Sequence, residues 1–292
     1  MSAAHPILVG YDGSPGAKRA LIWAGREAAH SGRELQVLAA ESSGLLARHR
    51  DELHEAMRMI LDAAVVRLHK VHPQLPVQTM TAEGSPADAL LEHAPDTDLL
   101  VVGRRGHGAV ADALLGSVSL RVTAHAPCPV VVVPPAAPMP RTGGVVVGVA
   151  DTTDAPALDF AAGHASQTGA DVTAVHAWTL PVSGFAPELA LPLLADAREM
   201  IAAHDEVLER LVRTARPRFP DTLIEPRTIE GSTGQVLAAE AADAALLVIG
   251  AHRKQGAFPL RIAPTAHYVL HHARCPVAVV PEAAKERSGA AF

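Results

Sequence analysis

The chain has 292 residues, with 25 Lys and Arg against 31 Asp and Glu, 49% apolar residues and two cysteines. That composition is too apolar for disorder, and a net charge of −6 provides no basic field for a nucleic-acid backbone. Two cysteines make no disulfide framework, no basic and apolar leader opens the sequence, and no apolar run reaches the roughly 18 residues of a membrane helix, so a cytoplasmic setting away from membranes is expected.

Taken in chain order, residues 6–11 form a short apolar run that ends in the turn signal Tyr11-Asp-Gly-Ser14. Helical spacing follows over 16–31 and closes at Gly32; a strand is predicted at 35–40, an amphipathic helix at 50–70 and a strand at 76–81. A short helix is predicted at 86–93, with Pro86 at its first position and Ser85 as its N-cap. Strand 98–102, a helix from about 117 to 125 and strand 129–133 complete the unit. Runs such as Leu99–Val102 and Val130–Val133 do not alternate, which suits parallel strands covered on both faces. The fold class is therefore α/β with doubly wound sheets, whose ligands sit beyond the carboxyl ends of the strands.

The pattern occurs twice. Ile7–Gly10 returns as Val145–Gly148, 138 residues on, while Leu99–Gly103 returns as Leu246–Gly250 and Cys128 as Cys275, 147 residues on. The change of offset places about nine extra residues in the second copy, assigned to a loop at 179–193. Two domains are expected, 1–136 and 143–282, with a stiff Pro-rich linker and a disordered tail at 283–292. The valine-rich strands 129–133 and 276–280 are expected to pair edge to edge, joining the halves as a pseudo-dimer, because an uncovered flat edge of that kind aggregates. A further homodimer is left open.

The chemistry is carried by Gly103-Arg-Arg-Gly106-His-Gly108-Ala109 and, after a short apolar stretch, Gly116-Ser117. A buried strand ends in a glycine-rich loop that leads into a helix N-terminus. Glycines admit a phosphate close to backbone amides, and the helix start offers unpaired donors and a partial positive charge. A flexible loop with a helix cap is the bland alternative. The Walker A string is absent. Gly106-His-Gly108-Ala-Val-Ala111 fits a dinucleotide fingerprint, but the next strand ends Val133-Pro134-Pro135, without the acidic residue that the ribose needs.

The spacing Gly-x2-Gly-x9-Gly-Ser at Gly103, Gly106, Gly116 and Ser117 resembles the ATP-binding signature of universal stress proteins, and the resemblance covers nearly the whole chain twice. It implies two tandem Rossmann-like domains, each a five-stranded parallel sheet in the order 3-2-1-4-5, and a regulatory protein that binds ATP, with or without Mg, and turns it over slowly or not at all. By the same resemblance Gly10 and Asp12 face the nucleoside, the Ala40 backbone meets the adenine edge, Gly103, Gly106 and Gly108 line the phosphates, and Gly116, Ser117 and Val118 donate from the helix start. Arg104, His107 and Ala109 belong to the same loop and are counted with it; Arg104 and Arg105 either steer phosphate or serve a loop-surface or interface role. Asp12 has a simpler reading as a turn former in Asp-Gly-Ser-Pro.

In the second copy Arg253 stands for Gly106, Ala263 for Gly116, Pro264 for Ser117 and Ala150 for Asp12, unless a one-residue shift restores Asp151. Proline starts a helix well but has neither an amide proton nor a hydroxyl, so nucleotide binding is expected mainly in the first domain. Arg253 and Lys254 offer a competing, charge-based grip on phosphate. His267 and His271 lie four apart, but no third metal ligand is evident, so no metal site is expected. An adenine-nucleotide hydrolase is the competing function, set back by the missing Ser-Gly-Gly-x-Asp-Ser loop after the first strand; an interaction scaffold with an unidentified protein partner is the third.

Overall fold

A computed structural model describes residues 5–41, 50–106, 115–135, 143–179, 197–251 and 262–282. In the first half, strands β1 (Ile7–Gly10), β2 (Leu35–Glu41), β3 (Val77–Glu83), β4 (Leu99–Gly103) and β5 (Val130–Val133) alternate with helices α1 (Pro15–Ser31), α2 (Arg50–His69), α3 (Pro86–His93) and α4 (Ser117–His125). The second half repeats this with β6 (Val145–Gly148), α5 (Ala155–Thr168), β7 (Val172–Trp178), α6 (Ala197–Ala215), β8 (Ile224–Glu230), α7 (Thr233–Glu240), β9 (Leu246–Ala251), α8 (Pro264–His272) and β10 (Val277–Pro281).

The strands form one ten-stranded sheet in the order β3-β2-β1-β4-β5-β10-β9-β6-β7-β8. Each half is parallel and runs 3-2-1-4-5, and the halves meet where β5 and β10 pair antiparallel, Val131 opposite Ala278. The edge-to-edge pairing expected from the valine runs is present. Its cause is visible in burial: all four residues of β5 are buried, whereas β3 at one end of the sheet alternates with exposed positions.

Two apolar layers follow from the pleat. Ile7, Val9, Val131 and Ala278 face one side, against Ala24 and Leu21 of α1, Leu61 and Leu68 of α2, Leu158 of α5 and Val212 of α6. Leu8, Val130, Val132 and Val279 face the other, against Leu90, Val122, Leu237 and Val269 of α3, α4, α7 and α8. Both layers run through both halves. The first is crossed by a polar contact, in which His164 Nδ1 of α5 sits 3.1 Å from Glu27 Oε1 of α1, with the Trp23 ring stacked on the imidazole.

Helix ends follow their sequence signals. Gly32 and Gly169 close α1 and α5 in the left-handed region, at φ 66° and 67°, where a Cβ would be strained. Ser85 occupies the N-cap position of α3 as expected, although its hydroxyl makes no capping bond. The insertion in the second copy and the C-terminal tail lie outside the described residues, apart from Thr179 at the start of the former.

Cys128 and Cys275 sit two residues ahead of β5 and β10, reduced and buried, and burial pushes both thiols up to about 11. Thiolate is the reactive form. Neither cysteine should therefore react with a chromogenic disulfide reagent at pH 8 in the native protein, and two equivalents should appear on denaturation; rapid native labelling would contradict the packing.

Candidate functional site

The sheet order reverses direction between β1 and β4, and a cleft of about 290 Å³ opens at their carboxyl ends. Its inner wall is Gly10, Leu38, Ala40, Leu90 and Val102; its polar rim is Asp12, Arg105, Gly106, Ser117 and Ser119. The N-terminal turns of α1, α3 and α4 all border it through Ala17, Pro86 and Ser117. Three positive helix poles therefore face one space.

The loop after β1 is built by its own side chains. Asp12 Oδ1 accepts the Ser14 amide at 2.9 Å, Gly13 takes φ 77°, and the Ser14 hydroxyl accepts the Ala17 amide at 3.1 Å, capping α1. Asp12 is thus the turn former of the simpler reading, and it also lines the cleft. Its carboxylate has room because residue 106 is glycine: a Cβ there would lie 2.4 Å from Asp12 Oδ2.

The floor is a backbone-to-backbone contact. A Cβ on Gly103 would lie 2.6 Å from the Gly16 carbonyl carbon, and one on Gly16 would lie 2.3 Å from the Arg105 carbonyl oxygen. Only two facing glycines let the end of β4 meet the start of α1. The start of α4 carries no side-chain cap on its N-cap Gly116. Its first-turn amides have no acceptor within the helix, as a phosphate site requires. The Gly116 amide is the exception, since it donates to Arg104 O at 2.9 Å. The Ser119 hydroxyl donates to Gly103 O at 2.8 Å and braces the strand end against the helix.

The corresponding space in the second half is smaller, about 110 Å³. The backbone frame is the same, with Val149 N donating to Val175 O as Tyr11 N donates to Leu38 O. The side chains differ. Helices α1 and α5 align at an offset of 137, Ala20 with Ala157 and Leu21 with Leu158, so Asp154 stands where the first half has Ala17; it is 2% exposed and accepts the Ala150 amide on Oδ2 at 2.7 Å. Asp151 repeats the turn-forming bond of Asp12, its Oδ1 accepting the Thr153 amide at 2.7 Å, but it is not among the described residues that border the cleft. His176, at the register of Ala39, lines the cleft, with Nδ1 2.8 Å from Val149 O and Nε2 2.8 Å from His204 Nδ1. Because a carbonyl only accepts, Nδ1 of His176 donates to Val149 O, and its Nε2 shares a hydrogen bond with His204 Nδ1. Burial and the neighbouring His176 hold His204 below the usual histidine range.

The sequence pattern of the universal stress protein family matches residues 4–134 and again 143–281. The chain belongs to this family. A universal stress protein of Mycobacterium tuberculosis H37Rv is 28% identical over 304 residues, covering 94% of each chain. The solved universal stress protein of Archaeoglobus fulgidus DSM 4304 shares the fold over 96% of this chain and 99% of its own, with a TM-score of 0.71 at 19% identity. A universal stress protein solved in complex with cAMP is 32% identical and covers 45% of this chain and 98% of its own, with a TM-score of 0.37.

In this universal stress protein the fold brings Gly10, Asp12, Ala40, Gly103, Gly106, Gly116, Ser117 and Val118 to one cleft. His107, Gly108 and Ala109 lie outside the described residues, as do Arg253 and Lys254 of the second half. Arg104 takes the interface role of its two readings. Its guanidinium does not border the cleft but donates to the carbonyls of His271 and Ala273, at 3.0 and 3.4 Å, in the second half. Sequence reasoning missed Gly16 and Ser119. The 147-residue offset sets Ala266 against Ser119, a difference between the copies that could have marked it, whereas no such signal marks Gly16. The His267 and His271 rings are tilted by 38° with centroids 4.4 Å apart, and the described residues hold no cluster of three or more metal-ligating groups. No helix among them is long and apolar enough to cross a membrane.

Proposed function

We propose that the chain is a cytoplasmic regulatory protein of the stress response that binds one adenine nucleotide, ATP foremost, in the cleft of its first half, while the second half carries the same fold with the cleft closed to nucleotide. The domain limits follow the repeat, 1–136 and 143–282. The observation that carries this reading is the contrast at one position: the small Ala17 lines the first cleft, and the buried Asp154 carboxylate lines the second at the corresponding place. In the first half, phosphate oxygens would meet the amides of Gly106, Ser117 and Val118 and the Ser117 hydroxyl, and Asp12 would meet the ribose or a phosphate-bound Mg. Each charge-assisted bond contributes on the order of 1.5–3 kcal/mol, so three or four reach micromolar affinity after ordering costs. In the second half, Pro264 removes an amide and a hydroxyl, and the Asp154 carboxylate opposes an anion.

A regulator fits better than a hydrolase. The segment after the first strand, Tyr11-Asp-Gly-Ser-Pro-Gly16, lacks the Ser-Gly-Gly-x-Asp-Ser loop of the adenine-nucleotide hydrolases. Calorimetric titration of the full chain with ATP should give one site per chain, and the native protein should release an adenine nucleotide on denaturation. Two equivalent sites would overturn the asymmetry. No binding of ATP, ADP, AMP or cAMP would overturn the nucleotide reading.

A further inference from the structure

Arg104 belongs to the first cleft by its backbone and to the second half by its side chain. Its amide donates to Val133 O at 2.8 Å, at the end of β5. Its carbonyl accepts the Gly116 amide at 2.9 Å and the Ser119 hydroxyl at 3.3 Å, the two groups that join the loop to α4. From that anchored backbone the guanidinium crosses the seam and donates to His271 O and Ala273 O. Those carbonyls lie at the C-terminal end of α8, the negative pole of the helix, where carbonyls have no intrahelical donor. Burial, and then the neighbouring Arg105, hold Arg104 below the usual arginine range. A cation taken out of water needs acceptors, and the acceptors provided here belong to the other half.

Helix α8 leads onward. It spans nine residues, about 13 Å, and its N-terminal end at Ala263, Thr265 and Ala266 borders the second cleft. One rigid element thus runs from the Arg104 contact to the second half's counterpart of the nucleotide site. The link is not reciprocated by the repeat, because the residue 147 positions after Arg104 is Ala251, whose methyl group cannot cross the seam.

We propose that Arg104 couples the nucleotide cleft of the first half to α8, so that occupancy of the first cleft stabilises α8 and β10 in the second half. The inference rests on the nucleotide reading above. A phosphate bound between the loop and the start of α4 holds the Arg104 backbone from the side opposite β5. The longer of its two guanidinium bonds, 3.4 Å to Ala273 O, is near the limit of a hydrogen bond, so fixing the backbone acts directly on that contact. Linkage makes the effect mutual: a ligand that strengthens the contact binds more weakly when the contact is removed.

The test is amide hydrogen exchange on the full chain, with and without saturating ATP, for the native protein, Arg104→Met and Arg104→Lys. Methionine keeps the length and removes the donors; lysine keeps the charge and one point of contact. In the native protein ATP should slow exchange over 99–106 and 117–125 and also, by roughly five-fold or more, over 264–281. In Arg104→Met the first two segments should still respond and 264–281 should not, with Arg104→Lys intermediate. Slowing around the cleft with no response over 264–281 in the native protein would overturn the coupling alone, as would a response over 264–281 that survives Arg104→Met. No ATP effect on any segment would overturn the nucleotide reading and the coupling together.

Discussion

Replacing Gly16 by aspartate will abolish nucleotide binding and leave the chain folded. The Cβ of any side chain at residue 16 falls 2.3 Å from the Arg105 carbonyl oxygen, a backbone atom that cannot swing aside as a side-chain terminus can. The loop from Gly103 to Gly106 must therefore rise into the space that the phosphates would occupy. Aspartate adds a negative charge at the N-terminal pole of α1, where it suits the helix and opposes the ligand. The strain falls on one loop at the rim of the cleft and leaves both apolar layers in place. The stability cost should accordingly stay within the roughly 1–3 kcal/mol of a local overpacking. The expected loss of affinity is 100-fold or more, about 2.7 kcal/mol. Gly16→Ala separates the causes: it carries the steric clash without the charge and should fall between the native protein and the aspartate variant. Titration calorimetry with ATP, read beside thermal unfolding, checks both. Affinity within three-fold of native for Gly16→Asp would mean that phosphates do not sit over the β4–α1 contact.

The sheet was legible because its information is local. Valine runs that are apolar at every position mark strands buried on both faces, and a repeated pattern at two offsets gave the two halves and their junction. The glycines of the loop were legible as a spacing. Gly16 was not, because its role arises from a contact with residues 103 and 105, almost ninety positions along the chain; beside Ser14 and Pro15 it reads as one more turn former. Ser119 was hidden in the same way, since its hydroxyl serves the Gly103 carbonyl and nothing near it in sequence calls for a serine. Arg104 carried two readings, phosphate or interface, that the sequence could not decide between. An arginine in a glycine-rich loop suggests a phosphate ligand, but direction depends on packing, and in a loop beside the seam the nearest unsatisfied acceptors were the carbonyls at the end of α8. Asp12 carried two readings that the structure joins: the carboxylate shapes the turn and, from the same position, borders the cleft.

Replacing Ala278 by aspartate will split the molecule into two units that unfold separately. Ala278 is fully buried opposite Val131, at the centre of the single antiparallel step in the sheet, and it packs in the layer shared by α1 and α5. An unpaired carboxylate there costs about 3–5 kcal/mol, or takes up a proton to avoid the charge and still lacks a donor. The damage falls on the one seam through which the apolar layers are continuous. The chain carries its own reporters, because of its two tryptophans Trp23 lies in the first half and Trp178 in the second, both buried. With Trp178→Phe the fluorescence follows the first half, and with Trp23→Phe it follows the second. In otherwise native protein the two urea transitions should coincide, since neither half can expose its β5 or β10 edge without uncovering a valine-rich strand. With Ala278→Asp added to each, the Trp178 transition should move to lower urea and separate from that of Trp23, because β10 belongs to the second half and loses its packing first. Transitions that are already separate in the seam-intact proteins would show that the shared sheet does not couple the halves. The route from Arg104 to α8 would then have to act without the support of a common core.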